Sequence, residues 1–248
     1  MALSAAQIDS ILKSEADHEC AGMGDARVCV RIVSIAELPT RSGRFQVVAF
    51  WNNRDGKEHI AVLKGNPIGR EDVLTRLHSE CLTGDAIGSL RCDCRDQLEA
   101  ALRRIAAEPA GIVLYMRQEG RGIGLLNKLR AYALQDRGLD TVEANEVLGF
   151  RDDEREYSIA AHMIESLRVH SIRLLTNNPR KVEDLARLGV RVSERVPHVI
   201  PPNEFNRFYL ETKRDRSGHL LDLEGKPRLA DQGELPEVEG AGRTAEGV

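Results

Sequence analysis

The sequence predicts an α/β fold, a mixed sheet flanked by helices, and three observations predict it. From residue 95 onward, short aliphatic runs alternate with amphipathic segments, the pattern of an α/β layer architecture. Before that, three β-rich runs follow one another with only turns between them, which adds an N-terminal antiparallel strand region. Aromatic residues make up only 4% of the 248, so the shared core must be mainly aliphatic.

The elements follow in order. Residues 7 to 20 place Ile8, Ile11 and Leu12 on one helical face before the pattern turns polar. "VCVRIVSIAEL" and "RFQVVAFW" read as strands joined by the turn "PTRSG", and "HIAVLKG" as a third. "RDQLEAALRRIAA" carries Leu98, Leu102 and Ile105 at helical spacing, and "GIVLYM" (111–116) is a short buried strand. "GLLNKLRAYALQDRG" is a helix closed by Gly138 at C′. "DDEREYSIAAHMIESLRV" puts Ile159, Met163 and Leu167 on one face and acids in its first turn. "IRLLT" is a strand. "NNPRKVEDLARLG" is a helix with Asn178 as N-cap, Pro179 at N1 and Gly189 as stop, and "VRVSERV" closes the series as a strand. No internal repeat is visible.

The net charge of −4 is concentrated at one end. From Asp222 onward there are seven acids and three bases, whereas the rest holds 32 of each, so nothing there resembles an electrostatic footprint for nucleic acid or an anionic membrane. That tail is rich in Gly, Pro and Glu and is expected to be disordered. No window approaches the roughly 20 apolar residues of a membrane span, and the first residues lack a signal-peptide pattern. With five cysteines, three of them within 14 residues, reduced thiols, metal binding or catalysis are expected rather than a disulfide framework. A cytoplasmic location follows as an expectation.

The cluster is Cys81, Cys92 and Cys94 in "HSECLTGDAIGSLRCDC". Three thiolates that can share one ion suit a borderline-soft metal, zinc by default. Three readings are open: a closed structural site with His78 as fourth ligand, a catalytic site whose fourth position is left to water, or three ordinary buried cysteines. The neighbouring Asp and Arg residues disfavour the last. Cys20 and Cys29 lie far from the cluster and read as plain core or surface residues.

Two loops suit an anion. "YMRQEGRGIGLLNK" is a strand, a polar glycine loop and a helix, with Arg117, Glu119 and Arg121 on the loop. It fails both the dinucleotide fingerprint and the P-loop pattern. In "LLTNNPRKVE", Arg180 and Lys181 occupy a helix's first turn, which is unfavourable unless an anion pairs with them. Two such loops suggest a ligand with several phosphates. In "GFRDDEREY", Asp153 and Arg155 stand two apart; side by side they could orient a phosphate or water, or form a solvated first turn.

Together "RLHSECLTGDAIGSLRCDC", "RQEGRGIGLLNKLRAYALQD", "DTVEAN", "LGFRDDER" and "LLTNNPRKVE" resemble GTP cyclohydrolase II, the zinc enzyme that opens the purine ring at the start of riboflavin synthesis. The resemblance covers roughly residues 30 to 221. It implies a catalytic domain over 28–221, with 1–27 an N-terminal extension and 222–248 an acidic tail. It implies one zinc on Cys81, Cys92 and Cys94, with water as fourth ligand, and Mg2+ on the phosphates of GTP. Tyr132 matches an essential tyrosine, Asp153 a general base, and Arg155 an arginine that engages the α-phosphate. On the residues alone Tyr132 reads as core packing, in line with Leu125 and Leu129. The GTP-contacting positions would be Arg76, Leu77, His78, Ser79, Glu80, Gln97, Glu119, Gly120, Arg121, Thr141, Thr176 and Lys181. Glu119 suits guanine, since a carboxylate can accept both N1–H and N2–H. Formate, diphosphate and 2,5-diamino-6-(5-phosphoribosylamino)pyrimidin-4(3H)-one would be the products, for riboflavin or a related specialised pathway, and a homodimer is implied. Two alternatives remain: a paralogue stopping at the formylamino-pyrimidine, and a non-catalytic zinc-stapled GTP-binding module. Arg95 departs from the family's usual glycine and would put a bulky cation beside the metal.

Overall fold

The computed structural model describes residues 2–16 and 28–223; the tail expected from 222 lies almost wholly outside them. One seven-stranded sheet has the order β1-β2-β3-β5-β4-β6-β7. Strands β1 (Val30–Thr40), β2 (Gly43–Asn52) and β3 (His59–Lys64) form the expected antiparallel meander, and β3 pairs antiparallel with β5 (Gly111–Met116). Beyond β5 the sheet turns parallel, through β4 (Val73–Ser79), β6 (Ile172–Leu175) and β7 (Val192–Val196).

Period-two alternation divides the core. Ala61, Leu63, Ile112, Leu114 and Met116 face one side, packed with α1 (Ala5–Ala16), α5 (Ser158–Ser166) and α6 (Pro179–Arg187). Val62, Val113 and Leu74 face the other, under Ala101 and Ile105 of α2 (Cys94–Ala106). Helix α1 is fastened by more than its apolar face. The Gln46 amide bonds both ways with the Leu3 backbone, at 3.0 Å each, and the Ile32 amide donates to the buried Glu15 carboxylate at 3.0 Å.

Four elements escape a pattern-based reading: β4, a π-helical turn (Leu82–Ala86), α4 (Thr141–Val147) and α7 (Arg207–Asp215). Strand β4 carries Thr75, Arg76 and His78 at buried positions, so its polarity hides a central strand. Helix α3 (Gly124–Gln135) is as expected. Helix α5 begins at Ser158, later than expected, because Asp153 and Glu154 are held in the preceding loop by Arg155 and Arg151. Cysteines 81, 92 and 94 are free, but Cys29 is disulfide-bonded, so the expectation of reduced thiols fails there. No helix among the described residues is long and apolar enough to cross a membrane.

Candidate active site

The parallel strands β4 and β5 end together at Ser79 and Met116, and ligands of such sheets bind beyond those carboxyl ends. Strand β4 runs straight into Cys81. The π-helical turn then brings Asp85 back beneath the strand, where its carboxylate accepts from the Cys81 amide (3.0 Å) and the Tyr115 hydroxyl (2.8 Å) and bonds His78 Nε2 (3.1 Å). Cys94 opens α2, so its sulfur sits at a helix N-terminus, where negative charge is favoured.

The three sulfurs all lie within 4.8 Å of one another, with Cys81 and Cys92 3.7 Å apart. A tetrahedral ion with ~2.3 Å bonds to sulfur needs its thiolates about 3.8 Å apart, so the donor set fits zinc. His78 is outside the cluster, since its Nε2 is taken by Asp85. Hydrogen bonds from Cys92 and Cys94 and then from Lys128 hold the Cys81 thiol far below its ordinary pKa, while the bond to Cys81 and burial push Cys92 up to about 11, and the bonds to both other thiols with burial hold Cys94 well above its ordinary value in spite of the helix N-terminus. Gly84 leaves the room: a Cβ there would lie 2.8 Å from Cys92 Sγ and 3.0 Å from Cys81 Sγ. Gly84→Ala should therefore weaken metal retention about 10- to 100-fold, measured by competition with a chromophoric chelator; unchanged retention would show that the loop yields. Arg95 does not stand beside the sulfurs. Its guanidinium reaches away to the carbonyls of Asp85 (3.1 Å) and Ala86 (2.8 Å) and latches the loop from outside.

Two cavities meet here. The first is open to solvent, spans about 690 Å³ including that opening, and is lined, among the described residues, by Arg76, Arg121, Arg155, Lys181 and Lys213 against one carboxylate, Asp93. Arg121 pairs with Asp152, Arg155 with Asp153, and Lys213 with Asp93. Among the described residues no carboxylate bonds Arg76 or Lys181. Arg76 is 7% exposed and donates to the Leu175 carbonyl and the Gln97 amide oxygen. Lys181 is 5% exposed and donates to the Leu77 carbonyl at 2.9 Å. Burial pushes Arg76 down to about 10, and burial with the nearby Arg155 and Arg76 charges pushes Lys181 well below its ordinary value. Arg76 Nε, Arg121 Nη2 and Ser79 Oγ are buried with no partner among the described residues. Desolvated cations and unused donors on one wall call for an anion.

The second cavity, about 710 Å³, has the three cysteines along one wall and Lys128, Tyr132, Thr141 and Asn145 among those facing them. Ser79, Cys94, Arg121, Arg155 and Tyr209 line both. The loop bearing Arg121 is fixed by close backbone packing. The Glu154 amide donates to the Arg121 carbonyl at 3.0 Å, and a Cβ on Gly122 would strike the Glu154 carbonyl carbon at 2.9 Å. Arg121 itself is left-handed, φ 56°, a strained conformation of the kind that collects at functional sites.

A family model described as GTP cyclohydrolase II matches residues 30–197. The chain belongs to the GTP cyclohydrolase II family. It is 52% identical over 192 residues to "GTP cyclohydrolase-2" of Picrophilus torridus, covering 77% of this chain and 100% of that protein. Against the protein of the same name from Proteus mirabilis it is 55% identical over 192 residues, covering 77% and 96%. It is 57% identical over 185 residues to "Riboflavin biosynthesis protein RibBA" of Bacillus subtilis, covering 74% of this chain and 46% of that protein. As a GTP cyclohydrolase II family member it is an enzyme of that type.

Of the residues that the family resemblance nominated, Arg76, His78, Ser79, Gln97, Arg121, Thr176 and Lys181 line the basic cavity. Glu80, Glu119, Gly120, Thr141 and Tyr132 line the second. Leu77 does not: its side chain is in the core, and only its carbonyl serves, by holding Lys181. Asp153 lines neither cavity; it reaches the site through the bonds it makes to Arg155. Glu119 already accepts from the Leu82 amide (2.6 Å), the Gly120 amide (2.9 Å) and Lys128 (2.8 Å), so little of its carboxylate is left for two-point contact with guanine. Tyr132 is not core packing: Leu129 on its turn is exposed, and the hydroxyl stands 3.5 Å from Thr83 Oγ1. Sequence reasoning missed Lys128, Tyr209 and Lys213. Lys128 precedes Tyr132 by four, and Tyr209 precedes Lys213 by four, so helical spacing could have put each pair on one face.

Proposed function

We propose that this enzyme hydrolyses GTP with opening of the imidazole ring. It would release formate and diphosphate and leave 2,5-diamino-6-(5-phosphoribosylamino)pyrimidin-4(3H)-one, the first step of riboflavin synthesis or a related specialised pathway. The carrying observation is the junction of a cation-lined cavity with one bearing three clustered sulfurs and a phenol, across Cys94 and Arg155. Relatives named "GTP cyclohydrolase-2" support the same reaction class. The catalytic unit spans 28–221, works as a cytoplasmic homodimer, and has α1 packed against it.

Cys81, Cys92 and Cys94 would hold zinc, which when bound supplies a Lewis acid and an activated water, the task of a three-ligand site. Arg76, Arg121 and Lys181 hold the phosphate chain and exclude water from it. Arg155 stands at the seam, where the α-phosphate joins the nucleoside, and clamps that phosphate and the departing diphosphate. Asp153 fixes the guanidinium plane through Nε at 2.8 Å and the Arg155 amide at 3.0 Å. Burial tends to raise Asp153, but the Arg155 hydrogen bond and charge outweigh it and hold the carboxylate below its ordinary range. It thus stays ionised and is a weak base, better suited to orienting Arg155 than to taking a proton. Mg2+ would travel with the phosphates, since Asp93, the one carboxylate on their wall, is engaged by Lys213 and Gln97.

Burial pushes Tyr132 upward in pKa, so its Oη carries a proton at neutral pH and can donate it to a ring nitrogen as the bond to C8 opens. Tyr132→Phe should lower turnover by about 10²- to 10⁴-fold with zinc content unchanged. Turnover within a few-fold of the parent would remove Tyr132 from the proton path.

Mass spectrometry of the products from zinc-loaded enzyme, GTP and Mg2+ tests the whole reading. Formate, diphosphate and the diaminopyrimidinone together support it. A product that keeps the formyl carbon would replace it with the single-hydrolysis reaction. Unchanged GTP with zinc bound would sink it in favour of a binding module.

A further inference from the structure

We propose that α7 and the turn after it complete the substrate pocket, with Lys213 as a phosphate-binding residue; this rests on the GTP reading above. The family model's match ends at residue 197, and α7 lies beyond that boundary, though inside the stretch of roughly residues 30 to 221 that resembles the family. Yet Tyr209, Lys213 and His219 line the basic cavity, and Tyr209 lines the second as well.

Among the described residues, Arg121 donates to Ser217 of this segment at 3.3 Å, and further bonds tie it to neighbours of site residues. Lys213 Nζ donates to Asp93 Oδ1 at 3.1 Å, and Asp93 stands between Cys92 and Cys94. Ser217 donates to Asp152 at 2.8 Å, the carboxylate that holds Arg121. The Leu220 amide donates to the Asn177 carbonyl at 2.8 Å, beside the N-cap of α6, whose first turn holds Lys181. Arg216 donates at 2.9 Å to Asp140, the N-cap of α4, which begins at Thr141. The C-terminal segment is therefore built into the wall of the site.

Lys213 has the chemistry of a phosphate ligand. Its side chain is 12% exposed, and its ammonium stands 4.2 Å from the Tyr209 ring centroid, which fixes its position. An ammonium carries three donors; Asp93 takes one, and the cavity wall already includes Arg76, Arg155 and Lys181. Among those cations it adds to the charge that a triphosphate would neutralise.

The test is calorimetric titration of the full-length zinc-loaded enzyme with GTP, GDP and guanosine, comparing the parent with Lys213→Met, Lys213→Gln and Lys213→Arg. Lys213→Met and Lys213→Gln should weaken GTP by about tenfold or more and guanosine by less than about twofold, with Lys213→Arg within about threefold of the parent. Zinc content, read separately, should not change. Equal weakening of GTP and guanosine, or loss of zinc, would show that Lys213 acts only through Asp93 and overturn the proposal. Unchanged GTP affinity would overturn it too. If the parent itself binds no GTP, the reaction reading fails first and the proposal with it.

Discussion

Lys181→Met is expected to make the unliganded enzyme more stable while weakening GTP by about 10- to 100-fold. The two effects share a cause. The ammonium is buried, its hydrogen-bond partner is a neutral carbonyl, and Arg155 and Arg76 repel it. Methionine fills the same space without the desolvated charge, so the melting temperature should rise by about 2–6 °C. Phosphate binding loses a charge-assisted bond in a site that excludes water. The pH dependence has a definite sign. The folded ammonium titrates below its ordinary 10.5, so between the two values the unfolded chain binds more protons. Stability of the unliganded parent from this group should climb with pH through that window and level off above about 10.5, and the variant should lack that climb. Thermal melts across pH, paired with GTP titration, decide the matter. A destabilised variant with parental GTP affinity would show that Lys181 is structural.

Cys92→Ser should have the largest effect on catalysis. Removing one of three sulfurs leaves two ligands, and turnover should fall at least about 10³-fold as the metal is lost. The fold should survive. The loop is held independently of the sulfurs by Asp85 from within and Arg95 from outside. Metal analysis by mass spectrometry, with circular dichroism as the fold control, reads both outcomes. Full zinc occupancy and parental turnover in the variant would exclude Cys92 as a ligand.

Much of the fold was legible because most elements follow one periodicity. Helix α6 shows it best: Asn178 caps the Arg180 amide at 3.0 Å, Pro179 is at N1, and the first turn places Lys181 on the cation-lined cavity. Strand β4 was illegible for the opposite reason. Its Arg76 and His78 point toward the site, so the alternation that marks a strand was broken by function. Helix α4 was missed despite a visible signal, the capping box of Asp140 and Glu143. Within the site, the cysteine cluster could be read from spacing. The roles of Lys128 and Lys213 could not, because each depends on a partner far along the chain: Cys81, 47 residues away, and Asp93, 120 residues away.

Strand β4 behaves as a tape with two tracks. Val73 and Leu77 belong to the core beneath α5, while Arg76 and His78, on the opposite face, line the basic cavity. The tracks are interleaved residue by residue, so a single insertion or deletion would exchange them, sending guanidinium into the aliphatic layer and leucine into the basic cavity. Foldability and chemistry are thus inherited together along this stretch. The lineage can vary the two tracks by substitution, one position at a time, but it cannot change their length.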